Sequence, residues 1–305
     1  MKKGILTTLL LSALFSTFGQ ISASDSTVQV VAYWEKAEKQ LYSAVYEEFK
    51  LKGSDTTSKD ITSYDIEVTV LGQSENSYTV QWVVMNFKTS SKDLNARKIG
   101  TILNDLKIVF TTNDVGTFAE VTNWKDIKNH INKRVEVLKR TEKISNEFSD
   151  ALNQLQTNYS TKEMIESAQI KDIQQFLFFH GGKYKLGEVF EGQGKFQNLM
   201  GGEPFDADLK AWLSEINEEE STYLMQSTQK VNVGQLKKAA LDYYTKIARS
   251  KNEKPPKIED LGDLKNETSI NSQIHDGGWV VSTTQTVVVT SEQQTYVERR
   301  TMELK

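Results

Sequence analysis

The sequence predicts an α+β fold, a curved and half-barrel-like antiparallel sheet packed against long amphipathic helices, and three observations predict it. Near both ends of the chain, apolar and polar residues alternate with period two, the pattern of strands with one wet face. Between them, Thr117 to His180 is a 64-residue span with no Gly or Pro, in which apolar residues recur at threes and fours. The strands are joined by short turns such as Gly53 to Asp55 and His275 to Gly278, as antiparallel neighbours require.

The chain of 305 residues opens Met-Lys-Lys, runs apolar from Ile5 to Phe18 and reaches Ser22-Ala23-Ser24 before turning polar. That order marks a secretory signal peptide over residues 1–24, and its apolar run is shorter than the roughly 20 residues of a membrane span. No Cys follows it to carry a lipid, so the mature chain is expected to be exported and soluble, periplasmic or extracellular. With no Cys anywhere, stability must come from a core rather than from disulfides. Residues 25–305 read as a single mature unit, or as two similar halves, 25–180 and 181–305, without a residue-level repeat. Setting aside Lys2 and Lys3 leaves 35 basic against 41 acidic residues, a net charge of −6 with no basic cluster, which argues against a nucleic-acid partner. Asn158 and Asn266 match the glycosylation pattern by chance in this context.

Leu41 to Leu51 reads as a strand. In the next, Thr62, Tyr64, Ile66, Val68 and Val70 share one face against Ser63, Asp65, Glu67 and Thr69, and a turn over Gly72 to Ser77 leads to Tyr78, Val80, Trp82 and Val84. Leu106 to Thr112 and Thr117 to Val121 form a further hairpin. Asn123 with Asp126 resembles a capping box and begins a long helix; the polar gap at Thr141 and Ser145 favours a helix lying on a sheet, or two helices with a bend near Thr141 to Ser145, over a coiled coil. Ser160 with Glu163 is a second box, opening a helix whose inward side carries Ile165, Ile173, Phe176, Leu177 and His180 and which closes at Gly181. Gly187 to Gly202 is irregular, with Phe190, Phe196 and Leu199 as anchors. Phe205 to Ile216 suits either helix or strand; strand is preferred because Asn217 to Ser221 looks like a hairpin tip leading into Thr222 to Val231. Gln235 to Arg249 is an amphipathic helix stopped at Pro255 and Pro256, and strands follow at 264–274, 279–290 and 295–304.

The inventory for chemistry is thin. Without Cys, thiol nucleophiles and thiolate metal sites are excluded. His180 reads as a helix-terminal residue favoured by the carbonyl end of the dipole, His130 as a surface residue, and His275-Asp276 as part of a turn; no Gly-x-Ser-x-Gly supplies a nucleophile for a His-Asp dyad. Asp206 and Asp208 lack the remaining ligands of a calcium loop, Gly192 and Gly194 lack the third glycine of a nucleotide cradle, and Glu218, Glu219 and Glu220 read as a solvated tip. The expectation is therefore no catalytic, cofactor or metal site. Trp82, Trp124, Trp212 and Trp279 read as core.

The stretches Tyr64 to Val70, Tyr78 to Trp82, Gly116 to Trp124 and Asn198 to Phe205 resemble uncharacterised exported proteins of Bacteroidetes-type bacteria, and that resemblance implies no functional residue. In the order of sheet and helices the chain is similar to half-barrel carriers of the LolA and LppX kind, which implies an apolar hollow between sheet and helices. The functional expectation is an exported, non-catalytic binding or carrier protein for a lipid, another apolar ligand or a cell-envelope partner. The alternatives are a structural or assembly protein of the envelope, and a secreted hydrolase whose carboxylates only the fold brings together.

Overall fold

The computed structural model describes residues 20–305 except Ala23, Lys143, Gln197, Leu199, Glu292 and Gln293. The predicted signal segment therefore lies outside the described residues apart from Gln20 to Ser22 and Ser24. Along the first half run β1 (Ile21–Ser22), β2 (Thr27–Gln29), β3 (Lys39–Lys52), β4 (Asp55–Ser74), β5 (Ser77–Thr89), α1 (Leu94–Leu103), β6 (Lys107–Asn113) and β7 (Phe118–Val121). Four helical pieces follow: α2 (Trp124–Thr141), α3 (Asn146–Asn158), α4 (Lys162–Met164) with a π-helical turn at Ile165–Gln169, and α5 (Lys171–Phe176). The rest comprises β8 (Lys183–Lys185), β9 (Val189–Phe196), β10 (Phe205–Asn217), β11 (Thr222–Val231), α6 (Val233–Ser250), a 3-10 turn at Ile258–Leu261, β12 (Lys265–His275), β13 (Val280–Thr290) and β14 (Thr295–Leu304).

Eleven strands form one antiparallel sheet in the order β7-β6-β5-β4-β3-β14-β13-β12-β11-β10-β9, and β1, β2 and β8 form a small second sheet. The two halves of the chain meet where β3 pairs with β14, from Tyr42–Leu304 to Leu51–Thr295. The order is linear and neither sheet is curled, so the half-barrel part of the expectation is not shown. In place of long helices, the layer over residues 124–176 is built of pieces no longer than 18 residues.

Register places the core residues of the large sheet on one face, among them Tyr42 and Ala44 of β3, Ile66, Val68 and Val70 of β4, Val80 and Trp82 of β5, Ile108 and Phe110 of β6, and Met302 of β14. The same face continues through Ala211 and Leu213 of β10 to Phe205 and Ala207, where a smaller cluster forms with Val231 and Leu236 under α6. The opposite face carries ion pairs, Lys39–Glu67, Lys59–Glu47, Arg299–Glu47, Lys305–Asp65 and Lys230–Glu267, as a solvated sheet face does. Trp212 points to that second face and is half-buried, which corrects its expected place in the core. Its neighbours Ala211 and Leu213 take the inward positions.

The helix signals need three corrections. Asn123 does not cap α2 through its side chain; its amide instead accepts from the Val109 N–H at 2.8 Å and donates to the Lys107 carbonyl at 3.0 Å, tying the helix start to β6. The second capping box is displaced by one residue, since Thr161 and not Ser160 accepts from Met164 N–H. The last helix ends at Phe176, so His180 sits in the turn beyond it, with Gly181 at φ 88°. The break near Thr141 to Ser145 is present, and Ser145 caps α3 by accepting from Phe148 N–H at 3.2 Å. The irregular segment also contains a regular strand, β9, and α1 occupies a region the pattern left unassigned.

A strap over residues 30–38 closes one end of the core. Trp34 is buried and stacks on Trp279 at 4.9 Å, the Val30 N–H donates to Gly182 O, and the Tyr78 hydroxyl donates to Ala32 O at 2.7 Å. Gly278 lets the strap lie flat: it has φ 81°, and a Cβ there would run into the Val31 carbonyl and come 2.9 Å from Ala32 Cα. Gly278→Ala is expected to destabilise the fold by about 2 kcal/mol or more. Gly72→Ala, whose added Cβ would meet only Thr79 at 4.0 Å, is expected to cost less than about 1 kcal/mol, and denaturant unfolding curves of both variants measure the difference.

Candidate functional site

The π turn decides where the hollow forms. Ile165 is fully buried, while Glu166 turns back so that its carboxylate accepts from the Val121 N–H at 2.6 Å, fastening the turn to β7. The wider turn then delivers Ile170, Ile173 and Phe176 to the sheet. Such turns accompany functional sites more often than ordinary helix does. Between this turn, α1 and strands β4 to β6 lies a cavity of about 140 Å³. Trp82, Leu106, Ile108 and Ile173 form its buried apolar floor, and Tyr64, Phe87, Gln169 and Asp172 its half-buried rim. Tyr159 and Ile170 complete the wall. Gly100 of α1 packs directly against the Phe87 ring and so shapes the rim from behind.

The polar side of the rim is an ion pair. Arg300 Nε lies 2.9 Å from Asp172 Oδ1, and the Tyr64 hydroxyl donates to Asp172 Oδ2 at 2.7 Å. Both charged side chains are largely withdrawn from solvent, 13% and 18% exposed. Burial, reinforced by the neighbouring carboxylate, pushes the Tyr64 phenol well above its ordinary range, so it stays a neutral donor. Burial opposes the charge of Arg300, and Asp172 with the surrounding acidic groups more than restores it. Gln175, one turn along, donates to Thr283 Oγ1 and to the Arg300 carbonyl, a second tie from α5 to the sheet. The site can therefore orient a small apolar group under a fixed polar edge. It presents no activated nucleophile.

His180 does not line that cavity; the Phe176 ring lies between it and Trp82. The histidine is 6% exposed, its Nε2–H donates to the Gly278 carbonyl at 2.9 Å, and its ring lies 5.7 Å from Trp34 and 6.3 Å from Phe176. Burial lowers its pKa to about 4, partly opposed by hydrogen bonding to backbone, so the ring is neutral at pH 7. The helix-dipole account of this residue is therefore replaced by burial as a neutral hydrogen-bond donor. His130, expected at the surface, is half-buried with Nε2 3.1 Å from Ile102 O. His275 accepts from the Gly277 N–H at 3.1 Å within the β12–β13 turn, beside Asp276.

Asp206 is engaged by Lys195 and by the Gln235 amide, which hold its carboxyl below the usual range. Asp208 lies on the same outer face, Glu218 to Glu220 form an exposed turn, and Gly192 and Gly194 lie in β9. Trp82 and Trp279 are buried and Trp124 is half-buried. Among the described residues no group of three or more His, Asp or Glu is placed to hold a metal ion.

Sequence reasoning missed one acidic row. Register sets Asp60 opposite Glu48 and Glu48 opposite Glu298, on the core-side face beyond the helices. The Tyr296 hydroxyl reaches both glutamates, at 2.6 and 3.1 Å, and Tyr46 donates to Glu48 at 2.9 Å. These residues come from three strands, so only the strand order could have revealed them. The 140 Å³ cavity includes none of them.

No family model matches the sequence, and no curated protein matches it. Among solved structures, the chain is similar over 89% of its length to 25% of the chain in a structure entitled "Lipid-protein interactions in lipovitellin", with 10% identity and a TM-score of 0.43. The chain thus spans about a quarter of that protein. A likeness at this level fixes no function.

Two outcomes test the site's physics. Asp172→Asn strands the Arg300 charge in a largely buried place and is expected to cost about 3 kcal/mol, read from denaturant midpoints. For His180, the folded value of about 4 lies below the ordinary 6.5, so the unfolded chain binds the proton more readily. Its contribution to stability is full above about pH 6.5 and falls by about 3 kcal/mol as pH drops to about 4. His180→Gln is expected to remove that part of the slope, which a pH series of unfolding curves on both proteins would show.

Proposed function

We propose that this chain is an exported, non-catalytic binding module for a small apolar ligand, or for the apolar end of a larger one, seated between the π turn and the sheet. The observation that carries this reading is the cavity with a buried floor of Trp82, Leu106, Ile108 and Ile173 and a polar rim of Tyr64, Gln169 and Asp172. Its volume of about 140 Å³ is comparable to the engineered apolar cavity of about 150 Å³ that takes up benzene, and below the roughly 300 Å³ at which drug-sized sites begin. One aromatic ring or a short alkyl segment fits. A whole acyl chain of the kind that half-barrel carriers hold would need the rim to open or the sheet to curve further around it.

Export rests on the leader-like N-terminus. That leader is residues 1–24, and cleavage after Ser24 would remove Gln20, whose side chain accepts a hydrogen bond from the Tyr223 hydroxyl at 2.5 Å. No helix among the described residues is long and apolar enough to cross a membrane. A secreted hydrolase is the second reading, supported by the Glu48–Glu298 pair that the fold assembles. It ranks lower because that pair lies on the sheet and not in the cavity.

Native mass spectrometry of protein purified without detergent, followed by titration with single-ring and short-chain alkyl compounds while the Trp82 indole resonance is watched, tests the reading. Uptake with a shift at Trp82 is expected, and Val84→Phe, which fills the cavity from its half-buried wall, is expected to weaken binding at least about tenfold. An unliganded mass with no shift at Trp82, or turnover of glycans or esters lost on Glu298→Gln, would overturn it.

A further inference from the structure

The two edges of the large sheet are finished differently. At β7 the edge is only four residues long, and the Glu166 carboxylate takes the Val121 N–H while Lys162 pairs with Glu120. At β9 it is eight residues long, and among the described residues no strand pairs with its outer side. Two apolar side chains stand exposed there, Val189 at 53% and Phe190 at 60%. An edge of this length and exposure is a template for another strand unless something guards it.

The charges on β9 are arranged to admit one particular strand. Side chains alternate along a strand, so antiparallel neighbours facing each other directly must lie on the same face of a continuous sheet. Glu191 and Lys195 lie on the outer face, opposite in sign and equidistant from Gln193. A second β9 laid antiparallel about a two-fold axis at Gln193 sets each Glu191 against Lys195 of the other copy. Sliding by two residues either way loses both pairings, and sliding by one breaks the alternation of faces. Glu191 already bridges to Lys210 and Lys195 to Asp206 on β10, so the pairing would extend two short ladders into one across the axis.

The other face agrees. In this register Phe190 stands across from Phe196 of the second copy, which is half-buried against the cluster of Phe205, Ala207, Val231 and Leu236. Gly192 and Gly194 stand across from each other, leaving room for the Phe190 ring, which already leans toward Gly192. We propose that β9 is a self-association edge, through which two copies of this chain pair antiparallel about Gln193 and continue the eleven-stranded sheet from one copy into the other. The interface is isologous and closed, as a two-fold contact must be.

The absence of native Cys makes the register directly testable. Sedimentation equilibrium is expected to give twice the chain mass, and Gln193→Lys, which sets two like charges across the axis, is expected to weaken association about tenfold. Directly opposed residues on neighbouring strands lie within disulfide range. Oxidised Gln193→Cys is therefore expected to form a covalent dimer. Glu191→Cys and Lys195→Cys are expected to remain single chains when oxidised separately and to cross-link when mixed. A single-chain mass at every concentration for the unsubstituted protein, or Glu191→Cys linking to itself as readily as Gln193→Cys, would overturn the proposal. Circular dichroism matching the unsubstituted protein confirms that each variant is folded.

Discussion

Phe176 is the residue on which the arrangement depends. Its ring meets Tyr42 and Trp82 edge-on at 5.5 Å, and Trp34, Trp279 and His180 within 6.4 Å. Those partners belong to β3, β5, the N-terminal strap, the turn before β13 and the segment after α5. One side chain thus gathers parts of the sequence that no disulfide links. Edge-to-face contacts of this kind add to area burial, and truncating such a ring typically costs 3–5 kcal/mol, a large share of the roughly 5–15 kcal/mol that holds a domain together.

The cavity follows from that anchoring. Phe176 and the Asp172–Arg300 pair hold α5 against β13 and β14, while Glu166 holds the π turn against β7. The segment between them must span both attachments. Ile170 and Ile173 reach inward but do not fill the space above Trp82. The same ion pair gives the rim its polar edge. Stability and the candidate site thus use the same residues, and the helix cannot be moved without altering the hollow.

What the sequence makes legible is local. The alternation from Thr62 to Val70 identifies the inward face of β4, and the outward Asp65 and Glu67 meet Lys305 and Lys39, so strand type and face both follow from period two. The helical layer is less legible. A span free of Gly and Pro permits continuous helix without requiring it, and Ser145 and Thr161 divide the layer by capping. α1 escaped notice because it is ten residues long with Gly100 inside it, and that glycine is there to accept the Phe87 ring. The site itself joins Tyr64, Asp172 and Arg300, and Trp34 joins Trp279, across separations of more than a hundred residues. No local pattern encodes such contacts; strand order and register do.

Hydrogen exchange on the unsubstituted protein and on Phe176→Ala tests the central claim most directly. If Phe176 holds helix and sheet as one cooperative unit, protection in α5, in β5 and in β13 falls together, by the roughly 3–5 kcal/mol of the lost ring. If protection falls in α5 alone while β5 and β13 keep theirs, the helices only rest on an independently stable sheet, and the account of both the core and the cavity is wrong.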